Sequence, residues 1–147
     1  MGRRLEGYSR ADVLGVYEVD APGGGAYVVL LEGEDWNGYI LPIVIGMPEA
    51  SAIQSALQGI VPERPMTHDL IVSMMGALGV NIERVTIDAL INNVYTATIV
   101  LKSGERQVYV DARPSDSIAI ALRAGAPIYV AERLKRNAIP KESIELE

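Results

Sequence analysis

The sequence contains no cysteine, no phenylalanine, one tryptophan and one histidine. Without cysteine the chain cannot form disulfides or thiolate metal sites, and this composition is typical of a cytoplasmic protein. With a single histidine, any metal would be a hard cation on carboxylates, such as Mg²⁺ or Mn²⁺, and no motif indicates an organic cofactor. Because 49% of the residues are hydrophobic but aromatic residues make up only 5%, we expect a largely aliphatic core.

Long apolar runs and an excess of positive charge are also lacking. No apolar stretch reaches the length that spans a bilayer, and residues 1–7 lack a hydrophobic signal segment, so we expect no membrane partner. The net charge of −6 argues against broad, non-specific binding of nucleic acid, which requires a basic face. A local basic patch remains compatible with this charge.

The 147 residues predict a single compact α+β domain with a mixed, mostly antiparallel β-sheet and about three helices. Its core is expected over residues 13–130, and residues 134–147 are expected to form a loosely held tail. Alternation of apolar residues and turn signals predict the strands and the helix starts. The predicted strands cover residues 10–20, 26–31, 39–45, 80–91, 94–101, 107–110 and 127–130, and the predicted helices begin near Pro48, Thr67 and Pro114.

Four local features carry expectations that a structure can test. The apolar run 39–45 is expected to be buried on both faces, with Pro42 at an edge or bulge. In the second helix, the stripe containing Met74 and Met75 is expected to fill the core. The last strand is expected to lie parallel to its predecessor, 107–110, because a helix connects the two. Trp36 is expected to be exposed in a polar loop.

The segment from Asp111 to Arg123 predicts a tight turn that leads from a strand into an almost wholly apolar, buried helix. Pro114 suits the first helical position, with Arg113 or Ser115 as the cap. The exposed N–H groups of the helix start, beside Arg113, would suit an anion such as phosphate. Alternatively, Asp116 only caps the helix and Arg113 only pairs with a neighbouring aspartate.

A second helix start repeats this plan. Arg64-Pro65-Met66-Thr67-His68-Asp69 and Arg113-Pro114-Ser115-Asp116 each place Arg-Pro before a hydroxyl residue and an aspartate. If the two starts converge, carboxylates, arginines and a base would meet, and phosphodiester hydrolysis needs these groups. We therefore predict catalytic roles for His68, Asp69, Asp111 and Asp116, phosphate binding by Arg64, Arg113, Ser115 and Thr67, and a metal site of Asp111, Asp116 and Glu49.

Each of these roles has a structural alternative. His68 would be the base because it titrates nearest neutrality, but it could be a helix residue hydrogen-bonded locally. Glu49 could simply match the positive end of the helix dipole. The two arginines and their aspartates could form a network that holds the domain together.

Taken together, five segments resemble the bifunctional nuclease domain family. These segments are Leu41–Gly46, Glu49-Ala50, Arg64–Leu70, Asp111–Ala119 and Pro127–Val130. The resemblance extends from about Val13 to Val130 and implies a compact α+β fold that self-associates and has nucleic acid as its partner. A homodimer is the first expectation for the homo-oligomer. It implies hydrolysis of both DNA and RNA, although the acidic charge departs from what a nuclease would show.

The motifs and the family resemblance lead to two alternative functions. The first is a nuclease, a phosphodiester hydrolase assisted by Mg²⁺ or Mn²⁺. The second is a non-enzymatic oligomeric module that binds a small anion or nucleotide at the Arg-Pro helix starts. Three carboxylates close together would favour a metal and the first function, whereas carboxylates paired with arginines in a closed network would favour a structural role.

Overall fold

The computed structural model describes residues 5–20 and 22–144, which form one curved, mixed sheet with helices packed on one face. The expectations for residues 1–4 and for the last three residues of the tail lie outside the described residues. The strands are β1 (Tyr8–Val19), β2 (Ala26–Gly33), β3 (Tyr39–Ile45), β4 (Asn81–Ile91), β5 (Val94–Ser103), β6 (Arg106–Ala112), β7 (Ile128–Ala131) and β8 (Ile139–Pro140), and the α-helices are α1 (Met47–Leu57), α2 (Thr67–Ala77) and α3 (Pro114–Ala124).

The strand order is β6-β5-β4-β7-β1-β2-β3-β8. Within the described chain only β4 and β7 pair in parallel; the other pairs are antiparallel, which confirms the predicted α+β class. Strand β7 runs parallel to its predecessor β6, as predicted, but the two are not neighbours, because β7 pairs with β4. Helix α3 packs across β4 and β5, so the chain emerges from it beyond both strands.

The β4–β5 hairpin has the turn and the bulge that its sequence predicts. Asn92 and Asn93 form the turn with φ of 50° and 63°, a conformation that asparagine tolerates better than most residues. The register shifts between Ile82 and Arg84, which confirms the bulge that the apolar pattern predicts there. This hairpin carries Val94 and Tyr95 to one end of the sheet.

Helix α3 is the centre of the core, as its apolar sequence predicts. Ile118, Ala119 and Ala121 are fully buried, and α1 and α2 both pack against this helix. Arg113 is its N-cap, Pro114 its first residue, and Gly125 ends it in the left-handed conformation, with φ of 68°. Because this helix is buried in the core, it fixes the position of the turn that begins the Asp111–Arg123 segment.

Helix α2 differs from the prediction of a core-filling stripe. No residue of α2 is buried, and Met74 and Leu70 are 46% and 49% exposed. Both sides of this short helix are apolar, so the sequence pattern cannot show which side faces the core. Ile71 and Val72 are the residues that pack against the core.

Strand β3 and the loop before it also correct the sequence interpretation. Ile40, Leu41 and Ile43 are buried, but Val44 is 72% exposed, so the strand is covered on both faces only in part. The edge position predicted for Pro42 is observed, because β8 pairs only with Tyr39 and Ile40. Trp36 is 1% exposed, since its ring packs directly against Gly33, where a Cβ would lie 2.7 Å from the indole.

The segment after residue 133 is packed, where the sequence predicted a loose tail. Leu134 is 2% exposed in the core, and burying a leucine stabilises a fold by roughly 1.5–3 kcal/mol. Ile139 and Ile144 cover a small apolar cluster on the other face of β2 and β3, around Leu30. The sequence signal was weak because this segment contains only a two-residue strand and short 3-10 turns.

A polar network connects strand β1 with strands β4 and β5. The Tyr8 hydroxyl donates to Asp88 Oδ1 at 2.7 Å, and Thr98 Oγ1 donates to Asp88 Oδ2 at 2.7 Å. Burial, followed by the bond to Asp88, raises the pKa of Tyr8. Within residues 5–20 and 22–144, no helix has the length and hydropathy that a membrane-spanning helix requires.

Candidate active site

The starts of the three α-helices meet around one cavity of about 400 Å³, called here the first cavity. The chain before each start is extended, and none of the N-cap residues Gly46, Met66 and Arg113 caps its helix with a side-chain hydrogen bond. The first-turn N–H groups therefore add partial positive charge around this cavity. The charged and polar residues from the three helix starts and from the end of α3 that line it are Glu49, Thr67, His68, Asp69, Arg113, Asp116 and Arg123.

The convergence predicted for the two Arg-Pro helix starts is present. His68 Nε2 lies 2.9 Å from Asp116 Oδ1, although the two residues are far apart in the chain. The local hydrogen bond considered for His68 is therefore not what the structure shows. An ionised carboxylate only accepts hydrogen bonds, so this contact places the proton on Nε2 and leaves Nδ1 of the neutral ring as an acceptor.

Asp116 also binds Arg113. Arg113 Nε donates to Oδ2 at 3.0 Å, and its NH2 nitrogen lies 3.3 Å from Oδ1 and 3.8 Å from Glu49 Oε2. Burial would raise the pKa of Asp116, but the hydrogen bonds from Arg113 and His68 outweigh burial and lower it. The hydrogen bond to Asp116 likewise raises the pKa of Arg113. The side chain of Arg113 is nevertheless 64% exposed, so it remains accessible to a ligand.

Asp69 has a different partner from the one that its motif suggested. Arg123 Nε donates to Asp69 Oδ1 at 2.9 Å, and Asp69 Oδ2 accepts from the Met66 backbone N–H at 3.0 Å. Met66 is the N-cap of α2, and Thr67, near which the sequence predicted the helix to begin, is its first residue. Arg123 is 11% exposed and holds the start of α2 against α3.

Three of the predicted residues do not line the first cavity. Arg64 is exposed in the loop before α2 and forms no ion pair in the described part of the chain. Asp111 lies on β6 opposite Thr98, and its side chain is exposed. Ser115 lines a neighbouring cavity, the second cavity, which also has a volume of about 400 Å³. Arg113 and Glu49 line both cavities.

The three carboxylates proposed for a divalent cation do not fit a shared site. Asp111 lines neither cavity, and the Asp116 oxygens are bound by His68 and Arg113. Across the described ranges, no three histidine, aspartate or glutamate side chains form a group that could hold a metal ion. The requirement for Mg²⁺ or Mn²⁺ stays a prediction that needs a direct assay.

Sequence reasoning did not select Arg123. A signal for it exists, because Asp116 and Arg123 are seven residues apart and therefore lie on the same face of α3. What the sequence cannot show is that this face meets the start of α2. The Arg-Pro motifs instead favoured Arg64 and Arg113 as candidates, and of these only Arg113 lines the first cavity.

Comparison with known proteins identifies the family of this chain. The family model described as the bifunctional nuclease domain matches residues 28–142. An uncharacterized protein of Mycobacterium tuberculosis is 46% identical over 121 residues, which cover 80% of this chain and 71% of that protein.

Plant relatives are more distant. Bifunctional nuclease 1 of Oryza sativa subsp. japonica is 29% identical over 114 residues, covering 76% of this chain and 34% of the rice protein. Bifunctional nuclease 2 of Arabidopsis thaliana is 29% identical over 109 residues, covering 72% of this chain and 33% of the plant protein. The chain thus spans about a third of these plant proteins. With a family model that covers most of its length, the chain belongs to the bifunctional nuclease domain family.

Proposed function

We propose that this protein hydrolyses phosphodiester bonds in DNA and RNA at the first cavity. The observation that carries the proposal is the chain of contacts from His68 through Asp116 to Arg113 at the meeting point of three helix starts. It combines a candidate base, a carboxylate that orients the base, and an exposed cation. The names of the plant relatives favour the same activity.

In the proposed reaction, Arg113 and the helix N–H groups bind the phosphate, since both favour negative charge. Within the described residues no protein group hydrogen-bonds His68 Nδ1, so this atom can take a proton from a water molecule. The water oxygen bonds to phosphorus, the bond from phosphorus to the leaving oxygen breaks, and Asp116 stabilises the imidazolium that forms. The leaving oxygen takes a proton from solvent and the imidazolium later releases its proton to solvent, so the products are a phosphate monoester and a hydroxyl.

The charges around the cavity set limits on substrate affinity. Three carboxylates, Glu49, Asp69 and Asp116, face two arginines, Arg113 and Arg123. With His68 neutral this set is net negative, and protonation of His68 makes it neutral. We therefore expect weak binding of the phosphate before reaction.

The test is cleavage of fluorescent single-stranded RNA and DNA by the purified protein, with Mg²⁺, Mn²⁺ or EDTA. His68→Gln keeps a hydrogen-bonding group near Asp116 but removes the base, so we expect the rate to fall by about 100-fold or more. Arg113→Ala should also reduce the rate. Arg64→Ala is the matched arginine control and Asp111→Asn the matched carboxylate control, because neither residue lines the cavity.

The controls make the outcome specific. Wild-type rates in both controls together with loss in His68→Gln would support the first cavity as the site. Cleavage that survives His68→Gln at full rate would overturn it. Cleavage lost in Arg64→Ala or Asp111→Asn alone would place the chemistry elsewhere on the molecule.

A second candidate, a non-enzymatic module that binds a small anion or nucleotide, is favoured by one observation. Asp116 pairs with Arg113 and Asp69 pairs with Arg123, so two carboxylates of the cavity are engaged by arginines, as in a structural clasp. Absence of cleavage with every metal, together with binding of a phosphate compound that Arg113→Ala abolishes, would favour this candidate over the nuclease.

A further inference from the structure

The second cavity is lined by a tyrosine, Tyr95, whereas no tyrosine or tryptophan of the described chain lines the first cavity. Its walls come from β3, from the tip of the β4–β5 hairpin and from the start of α3. Four strands separate β3 from β5 in the sheet, so the curvature of the sheet brings these walls together. Pro42, Val44, Val94 and Pro114 make much of the lining apolar, and Val44 and Val94 are 72% and 63% exposed.

Polar groups without partners lie in this apolar lining. Ser115 is 5% exposed, and its hydroxyl makes no hydrogen bond to any residue of the described chain. The Tyr95 hydroxyl likewise has no protein partner within the described ranges. The buried polar atoms without a partner in the described chain are Trp36 Nε1 and Arg84 Nε, so the Ser115 oxygen opens onto the cavity, where a ligand can supply its hydrogen bond.

The protonated hydroxyl and the ring of Tyr95 suit such a ligand. Burial raises the pKa of Tyr95, which keeps the phenol protonated and able to donate at neutral pH. Its ring offers an aromatic surface beside the apolar side chains of β3. A flat, neutral heteroaromatic ring with hydrogen-bonding edges matches this combination, whereas an inorganic anion does not.

The position of the second cavity indicates which kind of heteroaromatic ring it would bind. Arg113 lines both cavities, so a phosphate that contacts Arg113 would have the second cavity beside it. The formal charges of Arg113 and Glu49, the charged residues shared by the two cavities, cancel. We propose that the second cavity is a subsite for one nucleobase of the substrate, next to the phosphate held by Arg113. This inference rests on the proposed phosphate site in the first cavity.

Binding of small compounds tests the inference without requiring cleavage. Isothermal titration calorimetry would compare adenosine 5′-monophosphate and uridine 5′-monophosphate with ribose 5-phosphate, which has the phosphate but no base. We expect the nucleotides to bind about fivefold more tightly or better, since stacking of one base is worth at least this much. Ser115→Ala should reduce nucleotide affinity severalfold and leave ribose 5-phosphate unaffected.

Val44→Glu is a second variant, and Val19→Glu is its matched control on β1, away from both cavities. Val44 is highly exposed, so its substitution should not prevent folding, which circular dichroism would verify. We expect Val44→Glu to abolish the preference for nucleotides and Val19→Glu to retain it. Equal losses in both variants would reveal a general charge effect and overturn the inference.

The failures of the two proposals are distinguishable. Binding of ribose 5-phosphate as tight as that of the nucleotides would overturn the base subsite and leave the phosphate site standing. Absence of binding by all three compounds would overturn the phosphate site in the first cavity, and the subsite with it. A nucleotide preference that Ser115→Ala and Val44→Glu both leave intact would place the base elsewhere.

Discussion

Asp116 joins the two helix starts of the candidate site, because one carboxylate accepts from a histidine of α2 and from an arginine at the start of α3. The pattern of hydroxyl residue, aspartate and Arg-Pro predicted His68, Asp69, Arg113 and Asp116 as neighbours. Those residues are fixed by helix starts, which sequence signals locate well. Arg64 and Asp111 precede the helices in extended or loop segments, whose side-chain directions the sequence does not determine.

The lowered pKa of Asp116 makes its contribution to stability dependent on pH. A carboxyl group whose pKa is lower in the folded state stabilises the fold above its unfolded pKa, about 3.9, and this stability is lost as pH falls through the folded pKa. We predict that Asp116→Asn is less stable than wild type at pH 7 and that the difference shrinks at pH 3.

Urea unfolding at pH 7, 5 and 3 would measure this difference. Asp111→Asn is the control, because Asp111 is exposed and forms no ion pair in the described chain, so its removal should change stability by no more than about 0.5 kcal/mol. A difference between wild type and Asp116→Asn that stays constant from pH 7 to pH 3 would contradict the prediction.

At the scale of elements, α2 is held by polar contacts of its first turn and by Ile71 and Val72, which pack against the core. His68 and Asp69 bind partners on α3, whereas Leu70 and Met74 face solvent. Most strands and all three α-helices were predictable because their periodicity and turn residues agree. The orientation of α2 and the strand that pairs with β7 were not predictable. Each depends on which of two apolar surfaces packs against the rest of the folded chain.

Removal of the guanidinium of Arg123 should therefore loosen α2 more than α1. In Arg123→Met the apolar stem is kept, but Asp69 loses its charged partner, at an expected cost of about 1–3 kcal/mol. Hydrogen exchange should become faster in residues 67–77 and change little in residues 47–57. Arg64→Met is the control, and equal acceleration in both helices would show that Arg123 stabilises the whole domain instead.

At the scale of the molecule, the exposed apolar residues concentrate around α2 and the loop before it. Exposed side chains in this region are Leu57, Ile60, Val61, Met66, Leu70, Met74 and Leu78. Exposed apolar surface of this kind is typical of an interface between proteins. Trp36, which was expected to be exposed, is buried, so this apolar surface is the structural reason to expect self-association.

We predict that the protein self-associates through this surface. Light scattering at micromolar concentration should give a multiple of the chain mass of 15.9 kDa, with a dimer as the first expectation. The double variant Leu70→Glu, Met74→Glu should shift the mass to the monomer. Ile91→Glu, at an exposed apolar residue on β4, should not. A monomeric wild type would refute the prediction.

The pairing of β1 with β7 has a consequence for how the protein folds. Tyr8 pairs with Ala131, so this seam closes only when segments near opposite ends of the described chain meet. Such long-range contacts form slowly, because a large loop must be ordered before any contact stabilises it. Both cavities have walls from each side of the seam. The helices and hairpins can therefore form early in folding, but neither cavity exists until the two halves of the sheet have joined.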